Sequence, residues 1–336
     1  MPNSNDAYRR FEGGLMRHVN AMAACPNCRY LEVAPLKFLL PKNRQRLMDL
    51  FAGTGLVTRT IANYFNDVML VDPHVPPFEV IGPEMLWYQT NALFSEGIQS
   101  LPEADLAVCL AGFHHVLGPE SGEALESHRQ RRLEVLRLWL SKLQAGGRLV
   151  IADVPSEGTK YGWVVRESDE NFTQPQHNKM KLYFQADGSA LASLLDCSCL
   201  DEYLTDNMRV VRKFGLVEPE PASFFDQVVD KFSPHGHSAY FNSPQELVDL
   251  MHEAGFNNIN CFVVPTPWLF ATKTQALWFV HELLSIGQPC DTSNDLSSHE
   301  RDLIEKGVAD HLGLRQLPNK FWALSWKLMY VVGDRL

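Results

Sequence analysis

The chain has 336 residues, 45% of them hydrophobic and 21% charged, with 30 Lys and Arg against 40 Asp and Glu and a formal net charge of −10. That length supports one large or two smaller buried cores. The acidic balance argues against a nucleic-acid partner, because phosphate neutralisation needs clustered Lys and Arg.

In chain order, Met1–Glu12 is polar and lacks the apolar region of a secretory signal, and no apolar stretch reaches bilayer-spanning length. Seven scattered cysteines, an odd number, do not make a disulfide framework, so a reducing, cytoplasmic setting is expected. Cys25-Pro26-Asn27-Cys28 is a C-x2-C pair with no second pair to complete a zinc site, and it reads as two unlinked cysteines. Arg46–Phe51 is the first predicted strand. Ala52–Gly55 follows as a turn and Leu56–Tyr64 as a helix. Val68–Val71 is the second strand, closed by Asp72-Pro73, and Met85–Gln89 is the third. Leu106–Leu110 is the fourth.

Glu123–Leu143 has Leu133, Leu136, Leu140 and Leu143 at three- and four-residue spacing, an amphipathic helix, with Gly146-Gly147 as its expected C-terminal stop. Arg129, Arg131, Arg132 and Arg137 read as its solvated face. Leu149–Val154 is the fifth strand. Strands alternating with helices predict a parallel, doubly wound α/β sheet. Pro155–Asn242 breaks the pattern. Ser243-Pro244 with Glu246 is a helix start, and the helix stops at Gly255. Ile259–Val264 is the sixth strand, Thr274–Ser285 and Leu296–His311 are helical, and Phe321–Val332 reads as one final strand.

The chemistry concentrates in Asp49-Leu50-Phe51-Ala52-Gly53-Thr54-Gly55, between the first strand and its helix. Glycines there admit a ligand close to the backbone. Asp72 ends the second strand, 17 residues beyond Gly55, where a carboxylate can accept both hydroxyls of a ribose. A nicotinamide dinucleotide site wants a third glycine where Thr58 stands, and no Lys-Ser/Thr pair follows to make a P-loop.

With these residues the chain resembles the class I S-adenosylmethionine-dependent methyltransferases. The likeness rests on Asp49–Gly55, Asp72, Asn91-Ala92, Asp105–Leu110 and Leu143–Gly147. It implies a Rossmann-like, seven-stranded, mostly parallel sheet with an antiparallel last strand, and S-adenosylmethionine as cofactor, leaving as S-adenosylhomocysteine. In that likeness Asp49 meets the methionine amino group. Gly53 and Gly55, within the run that includes Phe51 and Ala52, face the methionine end. Asp72 holds the ribose, Asn91 and Ala92 lie beside the adenine, and Leu110-Ala111 lie under the cofactor's centre.

Around this core, 46–154, the segment 1–45, the insert 155–242 and a helical insert at 265–320 within 243–336 are expected to form a helical cap. Its aromatics, among them Tyr161, Trp163, Phe172, Tyr203, Trp268 and Phe279, suit an apolar pocket for a small molecule. His114 and His115, after the fourth strand, are candidate bases. Asp153 is a further candidate at the same rim, and His237 and Tyr240, just before the Ser243 helix, join it if the insert folds back over the pocket. His114 or His115 with Asp153, His235 and His237 would supply enough ligands for a metal, but their spacing matches no metal motif, and none is expected. The expected activity is methyl transfer to O, C or N of a small molecule in secondary metabolism, with no nucleic acid, no membrane and a homodimer as an open option. The alternatives are another reaction on the same cofactor, elimination or cyclisation, on a terpenoid for example, or metal-assisted methylation of a 2-oxo acid or catechol.

Overall fold

The computed structural model describes residues 21, 25, 28–53, 55–72, 85–90, 92–93, 95–117, 124–173, 197–216, 220–224, 239–284, 298–318 and 320–336. A short helix, α1 (Tyr30–Val33), runs into a 3-10 turn over Ala34–Phe38. Then come β1 (Arg46–Leu50), α2 (Leu56–Ile61), β2 (Asp67–Asp72), β3 (Met85–Gln89), α3 (Ser95–Gln99), β4 (Ala104–Leu110), α4 (Ala124–Leu140) and β5 (Leu143–Asp153). The second half adds β6 (Gly162–Arg166), α5 (Leu200–Phe214), α6 (Pro221–Phe224), α7 (Pro244–Ala254), β7 (Asn257–Pro265), β8 (Trp268–Phe270), α8 (Lys273–Leu284), α9 (Ser298–His311), β9 (Arg315–Gln316), β10 (Trp322–Leu324) and β11 (Lys327–Asp334).

The main sheet has the order β3-β2-β1-β4-β5-β11-β7-β6. β1 to β5 run parallel, and β11 lies antiparallel between β5 and β7. This is the expected seven-strand arrangement, extended by β6, a short antiparallel edge strand on β7. β6 comes from the predicted insert, where its Trp163 packs edge-on to Phe262 of β7.

Alternation along each strand splits the core in two. One face buries Leu47, Val108, Val150, Leu328 and Tyr330 against residues of the N-terminal segment, α2, α5 and α8. The other buries Met48, Cys109, Ile151, Met329 and Val331 against α4 and α7. Strand starts are pinned as well as packed. Asp105 of β4 accepts hydrogen bonds from the backbone N–H groups of Gln45 and Arg46, fixing where β1 begins.

Three expectations change. Gly146-Gly147 does not stop a helix, because α4 ends at Leu140 and the glycines lie inside β5. Gly146 has φ 76° and donates to the Arg335 carbonyl. A Cβ on Gly147 would sit 2.8 Å from the Gln144 carbonyl oxygen, so the strand's irregular start needs glycine. The final strand is two. β10 joins β8 and β9 in a separate three-stranded sheet, and β11 enters the main sheet after Ser325-Trp326. The insert at 265–320 is therefore not purely helical. The helical cap is not confirmed among the described residues, where 28–39 instead pack in the core on one sheet face. Several aromatics expected to line a pocket are core residues too: Phe172, Tyr203, Trp268, Phe270 and Phe279 are each under 4% exposed.

Candidate functional site

The strand order reverses direction between β1 and β4, which opens a crevice at the carboxyl ends of the strands. The motif residues meet at this crevice. Phe51 (φ 58°) and Gly53 (φ 51°) turn the chain sharply after β1. The Gly53 N–H donates to Asp72 Oδ2 at 2.9 Å, closing the glycine turn onto the end of β2. Gly55 (φ 69°) precedes α2 and donates its N–H to the Ala52 carbonyl.

Asp49 faces the other way along this turn, 1% exposed under α2. Thr58 donates its hydroxyl to Asp49 Oδ2 at 2.5 Å. Burial pushes the Asp49 carboxyl up to about 7, with the Asp72 charge adding to it and the hydrogen bonds from Thr58 opposing. Thr58, where a dinucleotide site would have its third glycine, is thus a partner of the buried acid.

Directly after β4, Ala111 (φ 52°) repeats the left-handed turn that Phe51 makes directly after the neighbouring β1. Such φ values in residues with a Cβ cost on the order of 1 kcal/mol each. Their pairing at one crevice marks the place where the backbone is shaped for something other than stability. The Phe51 ring lies against Gly112, where an added Cβ would sit 3.0 Å from the ring, and edge-on to Trp139. Trp139 donates its indole N–H to the Ala92 carbonyl at 2.8 Å, so Ala92 is fixed through α4. Leu110 ends β4 with partial exposure. Asn91 and His237 lie outside the described residues, as does His235.

His114 and Asp153 come together at the ends of β4 and β5. Asp153 Oδ2 accepts the His114 backbone N–H at 2.8 Å, and Oδ1 lies 2.7 Å from His114 Nδ1. Oδ1 also accepts the Val154 N–H. One carboxylate oxygen thus holds the His114 backbone and the other faces its ring. An Nδ1–H facing the carboxylate is the tautomer that this contact favours. His115 is half-buried, its ring centre 4.1 Å from that of His114, and the Phe241 ring centre is 5.3 Å from that of His114.

Arg132 was missed as a site residue. It is 1% exposed, although the run was expected to be a solvated face and its neighbours Arg129 and Arg131 do form ion pairs there. Its guanidinium donates to the Val116 and Tyr240 carbonyls and lies 4.3 Å from the Tyr240 ring centre. Burial lowers it to about 10. Arg132, Val135, Leu136 and Trp139 share the buried stripe of α4, and that i, i+3, i+4, i+7 spacing was the available signal. Tyr240 donates its backbone N–H to the His114 carbonyl and its hydroxyl to Glu246. The backbone of Tyr240 thus braces the histidine loop, while its ring and hydroxyl are held by Arg132 and Glu246.

Cys25 and Cys28 are buried and unlinked, and burial pushes Cys25 up to about 11 and Cys28 well above its usual value. A redox pair needs the opposite shift. Among the described residues, Cys197, Glu202 and Asp206 are the one group of potential metal ligands within reach of one another, and none belongs to this crevice. No described helix is long and apolar enough to cross a membrane.

No protein-family model matches the chain, and no curated protein matches it. Similar solved structures include S-adenosylmethionine-dependent methyltransferases. One from Thermotoga maritima is 14% identical, with 98% of this chain and 100% of that chain covered at a TM-score of 0.44. A phosphoethanolamine N-methyltransferase of Haemonchus contortus, in complex with S-adenosylhomocysteine, is 14% identical over 91% of this chain and 52% of its own, at 0.41. The N-methyltransferase NodS of Bradyrhizobium japonicum, also with S-adenosylhomocysteine, is 15% identical over 40% and 65%, at 0.32.

Proposed function

We propose that this chain is an S-adenosylmethionine-dependent methyltransferase acting on O, C or N of a small molecule. The observation that carries the reading is the meeting, at one crevice, of a glycine turn latched to Asp72 and a histidine latched to Asp153. The first suits the cofactor and the second the acceptor.

The residues fit the cofactor's polar groups. Asp72 ends β2 with its carboxylate latched to the glycine turn, the position that suits ribose hydroxyls. Asp49 offers a buried carboxylate to an ammonium, and such a cation would stabilise its charged form. Gly53 leaves its backbone open, since an added Cβ would meet only the Phe51 carbonyl oxygen, at 3.8 Å. When bound, the cofactor supplies an electrophilic methyl group on a sulfonium.

The chain's own part is positioning and proton handling. Asp153 fixes the His114 ring and its tautomer. His114 Nε2 takes the acceptor's proton, and the Asp153 carboxylate stabilises the imidazolium. Arg132 and Tyr240 hold the loop that carries His114. Phe51, Phe113 and Phe241 keep the surroundings apolar, which limits water at the reacting centre.

The test is calorimetry with S-adenosylmethionine and S-adenosylhomocysteine. Asp72→Ala should weaken binding by about 2 kcal/mol, the scale of a charged hydrogen-bonded contact. Unchanged affinity would sink the reading. Release of S-adenosylhomocysteine on incubation with acceptor mixtures separates methyl transfer from other chemistry on the same cofactor.

A further inference from the structure

Lys327 is a buried charge that the proposed chemistry does not use. It is the first residue of β11 and is 2% exposed. Because β11 runs antiparallel to β5 and β7, its start lies at the rim where those strands end. The register pairs Met329 with Asp153 and Lys327 with Pro265. Alternation places Lys327, Met329 and Asp153 on one face of the sheet, the face covered by α4 and α7. Two residues along the strand set Lys327 about 7 Å beyond the position of Asp153.

Its partners are few and unequal. The ammonium pairs with Glu220, whose side chain is 32% exposed, and lies 5.7 Å from the centre of the Tyr161 ring. Glu220 immediately precedes α6, a single turn fastened nearby through a Ser223–Glu157 hydrogen bond. Lys327 is followed along β11 by Leu328, Met329, Tyr330, Val331 and Val332, all buried, so packing alone would put an aliphatic residue at its position. A buried ammonium is costly to keep unless it is paired, and Glu220, being only partly buried, holds it with a carboxylate that solvent and other anions can compete with.

We propose that Lys327 anchors a carboxylate of the methyl acceptor, and that Glu220 occupies the ammonium until the acceptor arrives. This rests on the methyltransferase reading and names its substrate class, a small carboxylic acid whose reactive end reaches the His114–Asp153 pair. A carboxylate is the natural replacement because the group displaced is itself a carboxylate. The Tyr161 ring, which packs against the same core face, offers an apolar wall beside it.

The experiment titrates benzoate into the full chain saturated with S-adenosylhomocysteine, followed by ligand-observed NMR. Benzoate should bind in competition with Glu220. Glu220→Gln should tighten it at least fivefold, and Lys327→Met should weaken it at least tenfold, with S-adenosylhomocysteine affinity within twofold of wild type in both. Benzyl alcohol, the neutral analogue, should be insensitive to either change. Should Lys327→Met fail to fold, Glu220→Gln decides alone, since its side chain is partly exposed, and unchanged or weaker benzoate binding there overturns the proposal. Bound S-adenosylhomocysteine with benzoate indifferent to both variants overturns the anion site and leaves the methyltransferase reading standing. Failure of S-adenosylhomocysteine to bind overturns that reading, while benzoate binding that still depends on Lys327 upholds the anion site by itself.

Discussion

Asp49 is the residue whose charge state decides most. Its carboxyl is raised from an ordinary value of 3.8 to about 7, because burial takes it out of water and the hydrogen bonds from Thr58 offset only part of that. A raised acid binds its proton more tightly in the folded state. Its contribution to stability is therefore full below about pH 4, is lost as pH rises from about 4 to about 7, and is constant above that. Asp49→Asn should flatten that slope, which for this shift is on the order of 4 kcal/mol across the window. Denaturant unfolding at pH 5 and pH 8 measures it, and an unchanged slope would show that the acid is not the cause. A cation bound beside Asp49 favours its charged form, so cofactor binding should release a proton near pH 7. Affinity should then fall as pH drops below about 7, by up to about tenfold per unit. Calorimetry in buffers of different ionisation heat reads the proton directly, and Asp49→Asn should abolish it. Asp49, Gly53 and Asp72 were legible because a glycine turn between a strand and a helix has few uses. Asp153 was legible as a rim residue, but not as the orienting partner of His114. That pairing is made across two strands, and no local spacing encodes it.

Elements repeat the lesson with different physics. The Ser243–Glu246 start of α7 was readable because a capping box is local. Ser243 Oγ accepts the Glu246 N–H, and the Glu246 carboxylate accepts the Ser243 N–H. Ser243→Ala should cost about 1 kcal/mol of stability by denaturant unfolding. Glu246→Ala should cost more, because the same carboxylate also accepts the Tyr240 hydroxyl and so steadies the segment that bonds to His114. If Glu246→Ala matched Ser243→Ala in both stability and acceptor turnover, that second role would be absent. The elements read differently from the sequence were those set by long-range pairing. Gly146-Gly147 has the composition of a helix stop, yet its neighbours are Ala104 and the C-terminal Arg335, residues far along the chain. Trp322–Leu324 and Lys327–Asp334 are continuous in hydropathy. They separate only because β8 and β9 draw off the first part and β5 and β7 the second.

At the scale of the whole molecule, the N-terminal segment is tied to the sheet by charge buried at its centre. Glu32 is 0% exposed. Its carboxylate accepts from Arg29 at 2.7 Å and from the Trp268 indole at 2.5 Å, and its backbone carbonyl accepts the Tyr330 hydroxyl at 2.6 Å. One residue thus joins α1, β8 of the small sheet and β11 of the main sheet. Burial pushes its carboxyl upward, opposed by the Arg29 charge and the two hydrogen bonds. Arg29 is itself 8% exposed, and its guanidinium lies 5.8 Å from the centre of the Trp268 ring. Removing one member of such a pair strands the other, which typically costs 3–5 kcal/mol. Glu32→Ala should therefore destabilise the protein by roughly that amount. Glu32→Gln, which keeps an acceptor for the indole, should cost less. The double change Arg29→Met with Glu32→Leu should recover much of the loss, because no charge is then left uncompensated. All three should leave S-adenosylhomocysteine affinity near wild type, since the network touches neither Asp72 nor the glycine turn. Equal destabilisation by the single and double variants would mean that Glu32 acts through its packing volume and not through its charge.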